Sequence, residues 1–257
     1  MRNSAISKRD LLINLIKANF KMRYQNSVLG ILWVLIKPYA TFLVLYYIRV
    51  NAGKAPIENY GLYLLIGIVF YGFISEMITF GQMALLDKSN IILKVSFPKE
   101  IALLSSLANA VINLFINTLL IIILAVGAGI QISPLGILYF VLVSITAFIW
   151  GLGISFFTSV FTIRFRDLKN IIELALFLFY WATPIFFVAG KDNLAGGSSF
   201  MALNPVGVFI NQVRASFNIY ADVQYSTILI YLVLGLVVCY LGNIFFNAQV
   251  KKIAEYF

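Results

Sequence analysis

Few residues in this 257-residue chain could do chemistry, and their types restrict what that chemistry is. There is no histidine, which removes imidazole both as a general base and as a metal ligand. The single cysteine, Cys239, lies in an apolar run and excludes an intrachain disulfide framework. The ten acidic residues are dispersed, without the clustered carboxylates that an intramembrane enzyme would use. No G-x-x-x-x-G-K-[ST] phosphate loop occurs, since Gly53-Lys54 and Gly190-Lys191 lack both the upstream glycine and the hydroxyl residue. No G-x-S-x-G nucleophile turn is present. The chain therefore reads as one without an engine, so uphill movement of any cargo would need energy from a separate subunit.

What remains is a set of polar groups inside apolar stretches. An ionisable side chain at a bilayer centre costs about 2.5 to 3.5 kcal/mol on insertion scales, so Lys37 and Glu76 each need a reason. Counted along their helices they stand roughly 12 and 15 Å from the cytoplasmic side, close enough to pair between adjacent antiparallel helices. Either they neutralise each other or face one aqueous cavity, or Lys37 snorkels to the headgroups while Glu76 bonds to a nearby backbone group. Tyr39, Phe42, Tyr46, Phe179, Tyr180 and Trp181 lie deep and beside Pro38 or Pro184, where rings could line a path that slides against sugar faces. Trp33, Tyr60, Tyr63 and Tyr225 are placed as an interfacial belt requires. The prolines predict a kink at Pro38 and a helix break at Thr183-Pro184.

The elements that must hold these groups follow from composition. With 61% hydrophobic and 11% charged residues and a mean hydropathy of +0.95, the chain has lipid as its main solvent. Hydrocarbon about 30 Å thick takes roughly 20 apolar residues per helix, and stretches of that kind cover residues 29–50, 60–86, 101–126, 134–161, 171–189 and 226–247. Lys and Arg fix their direction. Fourteen of them fall before the first stretch, between the second and third, between the fourth and fifth, and after the last, against Arg49, Lys54, Lys191 and Arg214 on the other side. Six spans with both termini cytoplasmic satisfy the positive-inside bias at every connection. The net charge of +9 thus marks sidedness and not nucleic-acid binding.

Three segments outside the spans are amphipathic. In residues 1–28, Leu11, Leu12, Leu15, Ile16 and Phe20 recur at helical spacing opposite Asp10, Asn14, Lys17 and Lys21, with Ser7 and Asp10 as a helix start. This predicts a helix lying in the cytoplasmic leaflet, and not a cleavable signal peptide. Between spans two and three, Ile91, Ile92, Leu93, Val95 and Phe97 are more apolar than a solvated loop requires, which favours a docking surface closed by Phe97-Pro98. Residues 190–225 are too long for a tight turn and too polar to span, and are expected to form re-entrant or interfacial helices at the extracytoplasmic mouth, as a gate or as a lid.

The order and spacing of several short patterns carry a resemblance over nearly the whole length. They are Arg9-Asp10 entering the first helix, Arg23-Tyr24-x-x-Ser27-x-Leu29-Gly30-x-x-Trp33 with Pro38 after it, residues 90–98, Arg164-x-Arg166-Asp167, Trp181-x-x-Pro184 and Asn204-Pro205. In these the chain resembles the membrane subunits of type-2 ATP-binding-cassette polysaccharide exporters, which carry lipid-linked O-antigen or teichoic-acid chains. The resemblance implies an all-α integral membrane protein in the cytoplasmic membrane of a bacterium: a homodimer of six-span subunits joined to two nucleotide-binding ATPase subunits that hold ATP and Mg, with no cofactor on this chain. Asn90, Ile91, Leu93, Lys94, Phe97 and Pro98 would then form a coupling helix seated on the ATPase, and the chain after Pro184 would form gate helices. Arg164, Arg166 and Asp167 would lie where an anionic lipid headgroup could be received, or would simply set topology.

The expected function is therefore ATP-driven export of a lipid-linked polysaccharide. Export of a drug or small lipid on the same fold is the nearest alternative. A stand-alone channel or secondary carrier is a further one, although no internal repeat is evident. A membrane-embedded transferase would lack catalytic clusters.

Overall fold

The computed structural model describes residues 8–24, 29–51, 57–92, 97–188, 204–219 and 221–250, and over them it is all-helical with no strand. In chain order the helices are α1 (Lys8–Tyr24), a 3-10 turn (Gly30–Leu32) leading into α2 (Trp33–Asn51), α3 (Tyr60–Asp87), the short α4 (Ser89–Ile92), α5 (Lys99–Gly127), α6 (Pro134–Arg164), α7 (Leu168–Ala182), α8 (Pro205–Ser216) and α9 (Tyr225–Val250). Their starts are written locally. Pro134 follows Ser133, whose hydroxyl accepts from the Gly136 N–H, and Pro205 follows Asn204, whose side-chain oxygen accepts from the N–H groups of Val206 and Gly207. In both cases a side chain satisfies donors that the first helical turn leaves unpaired, and proline supplies the residue that needs no donor.

Five segments are long and apolar enough to cross a membrane: the 3-10 turn with α2, and α3, α5, α6 and α9. Of the six stretches expected to span, the fifth is the one not matched by a helix of that length among the described residues. Helix α7 has 15 residues and, at about 22 Å, is shorter than the hydrocarbon core. It starts at Leu168 and stops at Ala182, because Pro184 can offer no N–H to the carbonyl four residues back and pushes Thr183 into an extended conformation, φ −94° and ψ 141°. Residues 183–188 are not helical, although Thr183, Pro184, Ile185 and Val188 are buried. Pro38 acts differently. Helix α2 runs through it to Asn51, and the Val34 carbonyl left without its usual donor accepts from Asn117 Nδ2 at 3.3 Å.

Helix α3 is the centre of the molecule. It carries buried residues from Tyr60 to Leu85 and packs against α5, α6, α8, α2 and α7. Helix α9 lies on α6 at close range, where a Cβ on Gly153 would sit 2.9 Å from the backbone nitrogen of Cys239. Between α3 and α6, Gly81 leaves room for Ser155, whose hydroxyl a Cβ there would meet at 1.9 Å. Such contacts let helices gain dispersion energy where no hydrophobic drive separates protein from lipid. Helix α1 lies against α5 with the predicted face inward: Leu15 is buried, Leu11, Leu12, Ile16 and Phe20 are partly covered, and Asp10, Asn14, Lys17 and Lys21 are exposed. Asn19 secures it by donating to the Ser105 carbonyl at 2.9 Å. Ser7 lies outside the described residues. Helices α2 and α7 bury no residue, so both present an apolar flank.

Candidate functional site

The cavity that stands out has a volume of about 900 Å³ and is walled by the end of α1, by α2, α3, α5 and α7. The walls are set by backbone economy. Helix α3 bears Gly72, whose absent side chain opens onto it, and Thr79, Ser75 and Glu76 follow at helical spacing. On α5, Asn113 and Asn117 stand four residues apart and so share a face. From α7 come Phe177, Tyr180 and Trp181. From α2 come Trp33, Val34, Lys37, Pro38 and Thr41.

Lys37 and Glu76 line this one cavity, and no ion pair joins them among the described residues. The Glu76 carboxylate instead accepts from Asn113 Nδ2 at 2.8 Å, and the side-chain oxygen of the same asparagine accepts from the Tyr24 hydroxyl at 3.1 Å. Arg23, the other cation lining the cavity, lies over the Phe80 ring with its guanidinium carbon 3.9 Å from the ring centre. Burial, against the pull of Arg23, pushes the Tyr24 phenol above its ordinary range, which keeps it a hydrogen-bond donor. A polar floor with two cations and one carboxylate is thus held by a chain from α1 through α5 to α3.

The aromatic residues expected along a path divide. Tyr180 and Trp181 line the cavity edge to face, at 5.6 Å and 90°, and Tyr180 makes a second such contact with Tyr71, also on the wall. Tyr71 is fixed by donating to the Leu176 carbonyl on α7. Phe42 and Tyr46 are not among the lining residues. They stack on each other at 5.4 Å, and Tyr46 continues to Tyr60 and Tyr63 as a ladder between α2 and α3. Tyr39 also lies off the wall, partly buried against the core.

The candidates for ATPase docking and headgroup reception lie apart from the cavity. Arg164, Arg166 and Asp167 are exposed at the joint between α6 and α7, where Arg164 donates to Gln249 at 2.6 Å and Asp167 precedes the first turn of α7. Asn90 and Ile91 are exposed on α4, Phe97 is half-buried with Lys99 5.3 Å from its ring centre, and Pro98 precedes α5. Leu93 and Lys94 lie outside the described residues.

Sequence reasoning passed over Asn113 and Asn117, although a file of Asn109, Asn113 and Asn117 at spacing four in an apolar span was a readable signal. It also read Arg214 only as a charge on the outer side. The guanidinium is wholly buried, donating to three backbone carbonyls and to Asn211.

A family model described as ABC-2 type transporter matches residues 10–218. Among curated proteins the chain is 25% identical over 210 residues to the O-antigen export system permease protein RfbA of Myxococcus xanthus, covering 81% of this chain and 80% of that one. It is 26% identical over 247 residues to the protein of the same name from Klebsiella pneumoniae, covering 96% of this chain and 94% of the relative.

Proposed function

The chain belongs to the ABC-2 type transporter family, and from this premise we propose that it forms the transmembrane path of an ATP-driven exporter of a lipid-linked polysaccharide of O-antigen or teichoic-acid type. Permeases of this family are transport subunits that pair with an ATPase subunit, which here would hold the ATP and Mg. The observation that carries the cargo assignment is the cavity: about 900 Å³, ringed by Trp33, Tyr71, Phe80, Phe177, Tyr180 and Trp181 above a polar floor. Flat apolar rings with polar edges suit sugar faces and leave a moving chain without a tight charge contact. The names of the relatives point to the same cargo.

In this reading α7 and the non-helical residues 183–188 together make the fifth crossing, so that both termini are cytoplasmic. The apolar flanks of α2 and α7 face a second copy, and the cavity opens into the path between the two subunits. The segment containing Asn90, Ile91, Leu93, Lys94, Phe97 and Pro98 seats on the ATPase, and Arg164, Arg166 and Asp167 receive the anionic headgroup at the cytoplasmic side. Lys37 and Glu76 balance charge within the path, and Tyr180 and Trp181 touch the glycan. Tyr39, Phe42 and Tyr46, which the sequence offered for the path, support its wall from behind.

Co-reconstitution with the ATPase subunit tests this. A lipid-linked glycan is expected to stimulate ATP hydrolysis, and Phe97→Asp is expected to abolish that stimulation. Hydrolysis and transport unaffected by Phe97→Asp would remove the docking role, and hydrolysis indifferent to the glycan would remove the cargo.

A further inference from the structure

Four consecutive carbonyls after the break in α7 each accept from a side chain. Arg214 on α8 donates through Nη1 to Pro184 O at 2.9 Å and through Nη2 to Ile185 O at 2.8 Å. The hydroxyls of Tyr60 and Tyr63, on the first turn of α3, donate to Phe186 O at 3.0 Å and Phe187 O at 2.7 Å. Arg214 also donates through Nε to the Tyr63 carbonyl at 3.1 Å, and its guanidinium carbon lies 3.4 Å from the centre of the Tyr63 ring. One turn further along α3, Gly67 makes room for it, since a Cβ there would stand 2.7 Å from Nη2.

Non-helical backbone at membrane depth needs partners for its polar groups, and satisfying them is the minimum this arrangement does. Its geometry does more. Every one of the four bonds comes from α8 or from the outer end of α3, and Arg214 joins those two elements to each other. Helix α3 is a single 28-residue rod of about 42 Å without an internal proline. Its inner end passes through Lys88 directly into α4, where the N–H groups of Ile91 and Ile92 bond to the Lys88 carbonyl. The rod therefore links the cytoplasmic segment that seats on the ATPase to the extracytoplasmic chain at residues 184–187.

We infer that Arg214 is a positioning residue, the joint through which α3 carries displacement of the cytoplasmic segment to residues 184–187 and so sets the state of the outer mouth. This rests on the ATP-driven reading above but not on the identity of the cargo. A planar guanidinium can serve these acceptors at once; a lysine, a point donor on a flexible stem, cannot hold them in the same register.

The test uses the full chain bound to its ATPase subunit, with Cys239→Ala and one reporter cysteine, either Asp87→Cys at the inner end of α3 or Phe187→Cys at the mouth. Reactivity toward a membrane-impermeant maleimide is compared without nucleotide and with ADP and vanadate. With the joint intact, both reporters are expected to change rate by about fivefold or more between the two conditions. In Arg214→Lys, and in Tyr63→Phe, which removes the donor to Phe187 O and keeps the ring, the Asp87 reporter still responds and the Phe187 reporter does not. A Phe187 reporter that responds equally in both variants overturns the inference, as does an Asp87 reporter indifferent to nucleotide when Arg214 is present. Failure of glycan to stimulate hydrolysis with both nucleotide responses intact would instead count against the cargo alone.

Discussion

At the scale of single residues the structure separates groups that bear on transport from groups that burden the fold. Lys88, 4% exposed, donates to the Ser106 hydroxyl. Burial lowers its pKa from 10.5 to about 8, with Asp87 opposing the shift. The folded chain gives up this proton earlier than the unfolded one, so stability should rise with pH across the window from about 8 to 10.5. At pH 7 the buried ammonium costs on the order of 3 kcal/mol. Lys88→Met is therefore expected to raise the Tm of the detergent-solubilised protein at pH 7 and to flatten its rise above pH 8. A lowered Tm at pH 7 would show that the bond to Ser106 outweighs desolvation. For Lys37 and Glu76, which share a cavity without touching, the charge exchange Lys37→Glu with Glu76→Lys should restore export lost in either single variant; no recovery would remove the balancing role. Their depths left open a pair, a shared cavity or a snorkelling lysine, and the Asn113 bridge to Tyr24 was not legible, because it joins helices whose register no local pattern encodes.

At the scale of elements, the sequence located every long helix to within a few residues, because runs of apolar residues of membrane length leave little choice. At the fifth span two rules act together: hydropathy carries the apolar stretch to residue 189, while Pro184 ends the helix at Ala182, at the break expected from the sequence, and leaves carbonyls that accept from Arg214, Tyr60 and Tyr63. The aromatic file on α2 was legible as aromatic but not as wall or lining, since that depends on which side of α2 meets α3; Gly61, packed under Tyr46 and Phe42, decides it. Helix packing makes its own prediction. Gly153→Val would drive side-chain carbon into the α9 backbone at Cys239, which cannot swing aside as a side chain could, and is expected to cost about 1 to 3 kcal/mol. The expected readout is a lower Tm and folded yield in detergent, whereas Gly72→Ala, with nothing within 4 Å of its Cβ, should leave both unchanged.

At the scale of the whole molecule, a multi-pass helical body with no nucleotide-hydrolysing motif encloses a cavity walled by aromatic rings over a polar floor. If α7 and residues 183–188 complete the fifth crossing, cysteines placed near each terminus on a Cys239→Ala background should both be shielded from an impermeant maleimide in intact cells and react after lysis. One terminus labelled from outside would break the six-crossing arrangement. The most direct measurement is vectorial transport: proteoliposomes holding this chain with its ATPase subunit, given lipid-linked glycan and ATP on the ATPase side, with glycan assayed on the other. Accumulation is expected to require ATP and the ATPase and to fall when Tyr180 and Trp181 are replaced by alanine. Accumulation by this chain alone, or transport indifferent to ATP, would contradict it.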